Sequence, residues 1–222
     1  MHGPAVRAYL DTVPPLVAGG APDLTPLVEG AALAEAFRRL EAGTRQSLWN
    51  MQKDVRPSFN RRIHDLTESS RARGVDERFI HERSGVLRNP LLTSFEPTVR
   101  LAPVSTQMLV VDGRYLVVPG AAGRHTSTAF GTADPELVRL GREAFEEVWA
   151  ASVSWQEAGL LPPLPDRRFQ VAVLLLDGFS DREIAERVEV SPRTVSVEVR
   201  AIVEWLGARN RTHAIAMLVG AG

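Results

Sequence analysis

The sequence predicts two units of different class: an α/β unit, with a mixed sheet and flanking helices, followed by an all-α unit of four short helices. Three observations carry this. Up to about residue 152, helical periodicity alternates with β-branched runs. The stretch "LLPPLP" then brings Pro162, Pro163 and Pro165, which favour an extended, stiff connector. Beyond it only helical signals remain. The organisation expected is a lead-in at 1–30, an α/β domain at 31–152, a Pro-rich linker at 153–164 and a helical domain at 165–222.

Residues 1–30 carry five prolines and "AGGAPD", which read as a loosely structured segment with one short helix. "GAALAEAFRRLEAGTRQ" has helical spacing and ends near Gly43. "SLWNMQ" is a strand. "NRRIHDLTESSRARG" is a second amphipathic helix, with Ile63 and Leu66 inward and Gly74 closing it, and "VDERFIHE" is the next strand. "TVRLAPV", "QMLVVDGRYLVVP" and "RHTSTAFGT" are β-rich, and Asp112-Gly113 splits the second as a two-residue hairpin turn does. Asp134-Pro135 opens a helix whose apolar face is Leu137, Leu140, Phe145, Val148 and Trp149.

In the last unit Phe169, Val173 and Leu176 face inward, and Gly178 ends the first helix. Ser180 with Glu183 forms a capping-box pattern, and Ile184, Ala185 and Val188 make the buried side. Ser191 and Pro192 open "SPRTVSVEVRAIVEWLG", whose stripe Val195, Val199, Ile202 and Leu206 faces the core. At about 100° per residue, Arg193, Val197 and Arg200 lie opposite that stripe, with Ser196 at the flank. Two short helices in a tight turn, the second exposing polar groups, form a helix-turn-helix suited to a DNA major groove. Val197 can touch a thymine methyl there, and Arg200 can reach guanine O6 and N7.

Leu175, Gly178, Ser180, Glu183-Ile184-Ala185, Val188, Val190-Ser191 and Thr194-Val195 make the stretch resemble the LuxR/NarL-type helix-turn-helix, and Leu206-Gly207 and Arg211-Thr212 match its ending. The resemblance implies base contacts from Ser196, Val197 and Arg200. It implies backbone contacts near Arg193 and Thr194, with Arg211 added to the DNA-facing set, and a homodimer formed through the final helix around His213 to Val219. Glu198 stands where the family usually has histidine, and Ser196 where it often has lysine. A carboxylate close to phosphate repels it. Residues 165–222 hold eight arginines and eight acidic residues, and 191–211 carry only +2. This motivates an alternative: a pseudo-regulator with weak DNA binding that acts through protein contacts on another regulator.

For the first unit, the order of elements and "QMLVVDGRYLVV" resemble the phospholipase D-like effector domain of TrmB-type regulators, over about residues 30–152. The chemistry of that fold needs H-x-K before an aspartate. Aligned on Asp112, those positions hold Ser105 and Gln107, so nucleophile and cation are both missing and Asp112 is a turn residue. A phosphorylated receiver is excluded too, because Lys53, the only lysine, lies too early. The expected function is therefore a dimeric transcription regulator, not an enzyme. It would read a pseudo-palindromic operator on double-stranded DNA through the helix 192–206. A small-molecule effector or regulatory protein acting on the first unit would control it.

The remaining signals exclude more than they assign. The net charge of −1 supplies no overall field toward nucleic acid, so any footprint is local. With no cysteine, a disulfide framework, thiolate zinc and a cysteine nucleophile are all ruled out. No window approaches a membrane span, and the opening residues lack the order of a signal peptide, so a cytoplasmic protein is expected. His64, His81 and His125, with Glu82 or Asp65, lack metal-ligand spacing, and neither metal nor cofactor is expected. Arg56, Arg61 and Arg62 are a candidate anion patch, read first as a solvated helix face. Trp49, Trp149 and Trp155 are read as core.

Overall fold

The structure, a computed structural model, describes residues 2–27, 31–53, 69–86, 88–120 and 129–220. The elements in chain order are α1 (Pro4–Gly19), β1 (Thr25–Leu27), α2 (Ala31–Gly43), β2 (Ser47–Gln52), β3 (Asp76–His81), α3 (Arg83–Val86), α4 (Leu92–Phe95) and β4 (Arg100–Leu101). There follow β5 (Met108–Val111), β6 (Tyr115–Pro119), β7 (Ala129–Thr132), α5 (Pro135–Ala151), β8 (Val153–Ser154), α6 (Asp166–Leu176), α7 (Asp181–Val188), α8 (Pro192–Trp205) and α9 (Arg211–Leu218). Among the described residues eight strands form one mixed sheet in the order β1-β7-β6-β5-β2-β3-β4-β8. Of these strands, β2–β3 and β3–β4 pair in parallel and the others antiparallel. A parallel neighbour needs a crossover, and residues 69–72 are the helical end of the one that joins β2 to β3.

Side chains alternate across this sheet, and the alternation decides what each face packs against. Trp49, Met51, Ile80, Val110, Leu116 and Val118 lie in one core with α1 and α5. Leu48, Val75 and Val111 cluster on the other face. Trp49 stacks on Phe145 with ring centroids 5.3 Å apart. Gly141, inside α5, is a packing device: a Cβ there would sit 2.7 Å from Leu116, so its absence lets the helix settle onto β6. The β5–β6 hairpin turns through Asp112 and Gly113, both at positive φ (51° and 62°), the backbone an Asp-Gly hairpin turn requires.

Within residues 2–27 a long helix and a strand stand where a loosely structured lead-in with one short helix was expected. α1 runs sixteen residues and buries Val6, Tyr9, Val13 and Val17, while β1 extends the sheet beside β7. Pro14 and Pro15 sit inside the helix. Its apolar stripe, at helical spacing, outweighs the missing N–H groups because it packs against α5.

Residues 153–164 are not a free connector either. Val153–Ser154 pairs with β4 at the sheet edge, and Ala158 and Leu164 are buried. The Thr93 hydroxyl donates to the Leu161 carbonyl at 2.8 Å, and the Leu164 N–H donates to Ser94 Oγ at 2.9 Å. Trp155 and Trp205 donate their indole N–H groups to the carbonyls of Pro97 and Pro162. The prolines keep the backbone extended, but neighbouring side chains take up its polar groups. The core of the last four helices also takes in Leu91 and Phe95 from the α4 region, and Phe95 meets Phe169 edge-on at 4.6 Å. Among the described residues no helix is long and apolar enough to cross a membrane.

Candidate nucleic-acid interface

The two helices that would meet DNA are each capped by their own sequence. Ser180 accepts from the Glu183 N–H while the Glu183 side chain bonds back to Ser180, so both partners of the capping box are in place. These bonds hold the Glu183 carboxyl below its usual range. α7 ends with Glu189 in the left-handed region (φ 56°), and the Val190 N–H closes onto the Ala185 carbonyl. The link is tight. Ser191 then accepts from the Thr194 N–H at 3.1 Å, and Pro192 occupies the first turn of α8.

On α8, Val195 and Ile202 are fully buried and Val199 nearly so. Val197 is 55% exposed, an aliphatic side chain standing in water between the exposed Arg193 and Arg200. Neither arginine has an ion-pair partner among the described residues. The other predicted contacts are already engaged. Thr194 is half-buried, with its hydroxyl 2.8 Å from Ser191 Oγ. Ser196 Oγ lies 3.2 Å from an Asp181 carboxylate oxygen and 3.1 Å from the Pro192 carbonyl, so it donates to fixed acceptors. Arg211 is clasped by the other oxygen of Asp181. The free ridge is thus Arg193, Val197 and Arg200, with Ser196 and Arg211 held beside it.

Two residues outside the predicted set shape this face. Asp181, the first residue of α7, gathers Ser196 and Arg211, and it also suits the positive end of the helix dipole. Its role crosses thirty residues of sequence, so nothing local signals it. Arg168, on α6, donates to Glu198 at 2.9 Å, and the carboxylate is 16% exposed. The Glu198 carboxylate thus has a cation from the neighbouring helix beside it.

Elsewhere, His81 is buried with Nε2 2.5 Å from Glu96. His64, Asp65, His125, Arg56, Arg61 and Arg62 lie outside the described residues. Among the described residues no group of three or more histidine, aspartate or glutamate side chains could hold a metal. Ser105 is exposed beside His2. Asp112 accepts from the backbone N–H groups of Arg45, Gln46 and Ser47 at 2.7 to 3.1 Å. Partial burial opposes its charge, but these bonds keep the carboxyl below its usual range. Trp49 is core, while Trp149 is half-buried and carries the Arg100 and Arg78 guanidinium groups against its ring.

Two short helices in a tight turn, the second presenting guanidinium and methyl groups outward, define a helix-turn-helix module of the nucleic-acid-binding class. The sequence match is to this part of the chain: residues 162–218 match the GerE domain, that of the bacterial regulatory proteins of the luxR family. Such a domain is the DNA-binding part of a transcription regulator and points to a regulator rather than an enzyme. By sequence, no curated protein matches the chain. Among solved structures it is similar to TrmBL2, an archaeal chromatin protein (15% identity, 68% of this chain and 61% of that one, TM-score 0.49). It is also similar to Nuc, a phospholipase D family member from Salmonella typhimurium (13% identity, 59% and 95%, TM-score 0.47). NucT from Helicobacter pylori is a third (12% identity, 55% and 89%, TM-score 0.43). The match spans about three fifths of the archaeal protein's length.

Proposed function

We propose that the chain is a dimeric, cytoplasmic DNA-binding transcription regulator whose helix 192–206 reads a pseudo-palindromic operator. In this reading residues 31–152 form the controlling domain and 165–222 the DNA-binding domain. One observation carries it: α8 leaves Val197 in water between two arginines with no ion-pair partner among the described residues, while Val195 and Ile202 are sealed beneath. That combination costs exposed apolar surface with no folding return, and a thymine methyl flanked by guanine edges is its complement. The pairing of Glu198 with Arg168 offsets the carboxylate charge and so supports contact with phosphate. For the dimer, Val219 is 47% exposed and Ile215, one helical turn before it, is half-buried. The two could meet their counterparts and set two reading helices about one DNA turn apart.

The test is a gel shift with genomic fragments at low, stated salt, since only a few cations are free to release counterions. A retarded fragment is expected, with Arg200→Ala lowering the affinity for it roughly tenfold or more. No shift at micromolar protein would remove the DNA reading and favour the pseudo-regulator that works through protein contacts. Sedimentation of wild type and Val219→Asp tests the dimer separately.

A further inference from the structure

We infer that the Asp181 carboxylate is an internal stand-in for a DNA phosphate, occupying Arg211 and Ser196 until a backbone phosphate takes its place. The inference deepens the DNA-binding reading and rests on it.

The donor set carries the argument. One Asp181 oxygen is clasped by the Arg211 guanidinium, and the other lies 3.2 Å from Ser196 Oγ. A guanidinium and a hydroxyl are among the groups with which proteins hold the phosphate oxygens of a duplex. Here the protein supplies the anion itself. Its members come from three helices: Asp181 opens α7, Ser196 lies in the second turn of α8, and Arg211 opens α9. The cluster therefore forms only in the folded unit.

Its place is the edge of the reading face, not the interior. Ser196 is exposed, precedes the exposed Val197, and lies one turn before Arg200 on α8. The side chains of Arg211 and Asp181 are 40% and 30% exposed, so an incoming anion can reach them. An ion pair that open to water gains little from its own attraction. A duplex offers a dense row of phosphates and releases counterions when one is neutralised, so the exchange of partners runs toward DNA. The nearby Glu198 differs, its carboxylate being only 16% exposed against Arg168. Displacing Asp181 costs the same on any sequence, because phosphates carry no base information. The carboxylate thus holds overall affinity down without altering base choice.

The test is a set of gel shifts on the full chain across a salt series, with genomic fragments and an unrelated duplex of equal length. Asp181→Asn keeps the shape and removes the charge, and Ser196 retains the Pro192 carbonyl, 3.1 Å away, as an acceptor. The variant is expected to bind both kinds of DNA about five- to tenfold more tightly at low salt. Its plot of log affinity against log salt should steepen by about 0.9, the value of one phosphate contact. Adding Arg211→Ala to Asp181→Asn should abolish both gains. Wild type that retards DNA, with Asp181→Asn no tighter and no steeper, overturns this inference and leaves the DNA reading standing. A gain that survives Arg211→Ala also overturns it, since the released arginine would then not be what phosphate meets. If neither protein retards any fragment at micromolar concentration, the DNA reading fails and the inference with it. Asp181→Ser repeats the measurement should the asparagine variant fail to fold.

Discussion

The two units solve the same problem, satisfying the orphan N–H groups at the ends of elements, over very different distances. In the helical unit the partners are neighbours: Ser180 with Glu183, Ser191 with Thr194, and Asn210 with the His213 N–H. In the sheet unit α5 is likewise capped by its own Asp134, but other ends are served from far along the chain. The Glu147 carboxylate caps α1 from about 140 residues away, accepting from the Ala5 and Val6 N–H groups. Asp112 gathers the N–H groups at residues 45–47 across 65 to 67 residues. The start of α1 and the start of β2 are thus satisfied only once the first unit's chain has closed on itself, whereas α7, α8 and α9 are each capped within three residues. A reading head benefits from the second arrangement, since it can be displaced as a body without losing its internal shape.

The largest effect should come from the centre of the sheet unit. Phe145→Ala removes a fully buried ring stacked on Trp49 and should cost about 3–5 kcal/mol in chemical denaturation. A cost below about 1 kcal/mol would mean that this unit does not depend on its long-range core. Phe95→Ala probes the seam. Losing its contact with Phe169 should cost about 3 kcal/mol and split unfolding into two transitions, monitored by Trp fluorescence and far-UV dichroism. A single cooperative transition would show that the units are not joined there.

The pH dependence should also belong to the sheet unit. Glu77 is 5% exposed at its side chain, and burial pushes its carboxyl from the ordinary 4.5 up to about 7, partly offset by Arg71. The folded state therefore binds more protons than the unfolded one between these values. The stability this group contributes is complete below about pH 4.5 and is lost as pH rises through 7. Up to about 3 kcal/mol should disappear across that window in the wild type, and Glu77→Gln should flatten it. An unchanged slope in the variant would assign the pH dependence elsewhere. The smallest effects compare the caps directly. Glu147→Ala should cost about 1–2 kcal/mol and loosen α1, seen as faster amide exchange there. Ser191→Ala should cost about 1 kcal/mol and fray only the start of α8. Loosening that spreads equally in both variants would erase the distinction.

Much of this was legible from local pattern. Strand β2, the Asp112-Gly113 turn, the Ser180–Glu183 box and the buried stripe of α8 each declare themselves within a few residues, because hydrogen-bond periodicity and turn stereochemistry are short-range. The α1 stripe of Val6, Tyr9, Val13 and Val17 has the same helical spacing, but Pro14 and Pro15 within it and the prolines around it argue locally against a long helix. Arg193, Val197 and Arg200 could be placed on the open face by angle alone.

The chain's order of residues determined which segments are helix or strand and which side of α8 faces outward, since those depend on neighbours three or four positions away. Only tertiary structure decided that Arg168 would pair with Glu198 and that Asp181 would hold Ser196 and Arg211. Charge pairing and burial depend on distances through space, which the spacing of residues along a chain does not encode.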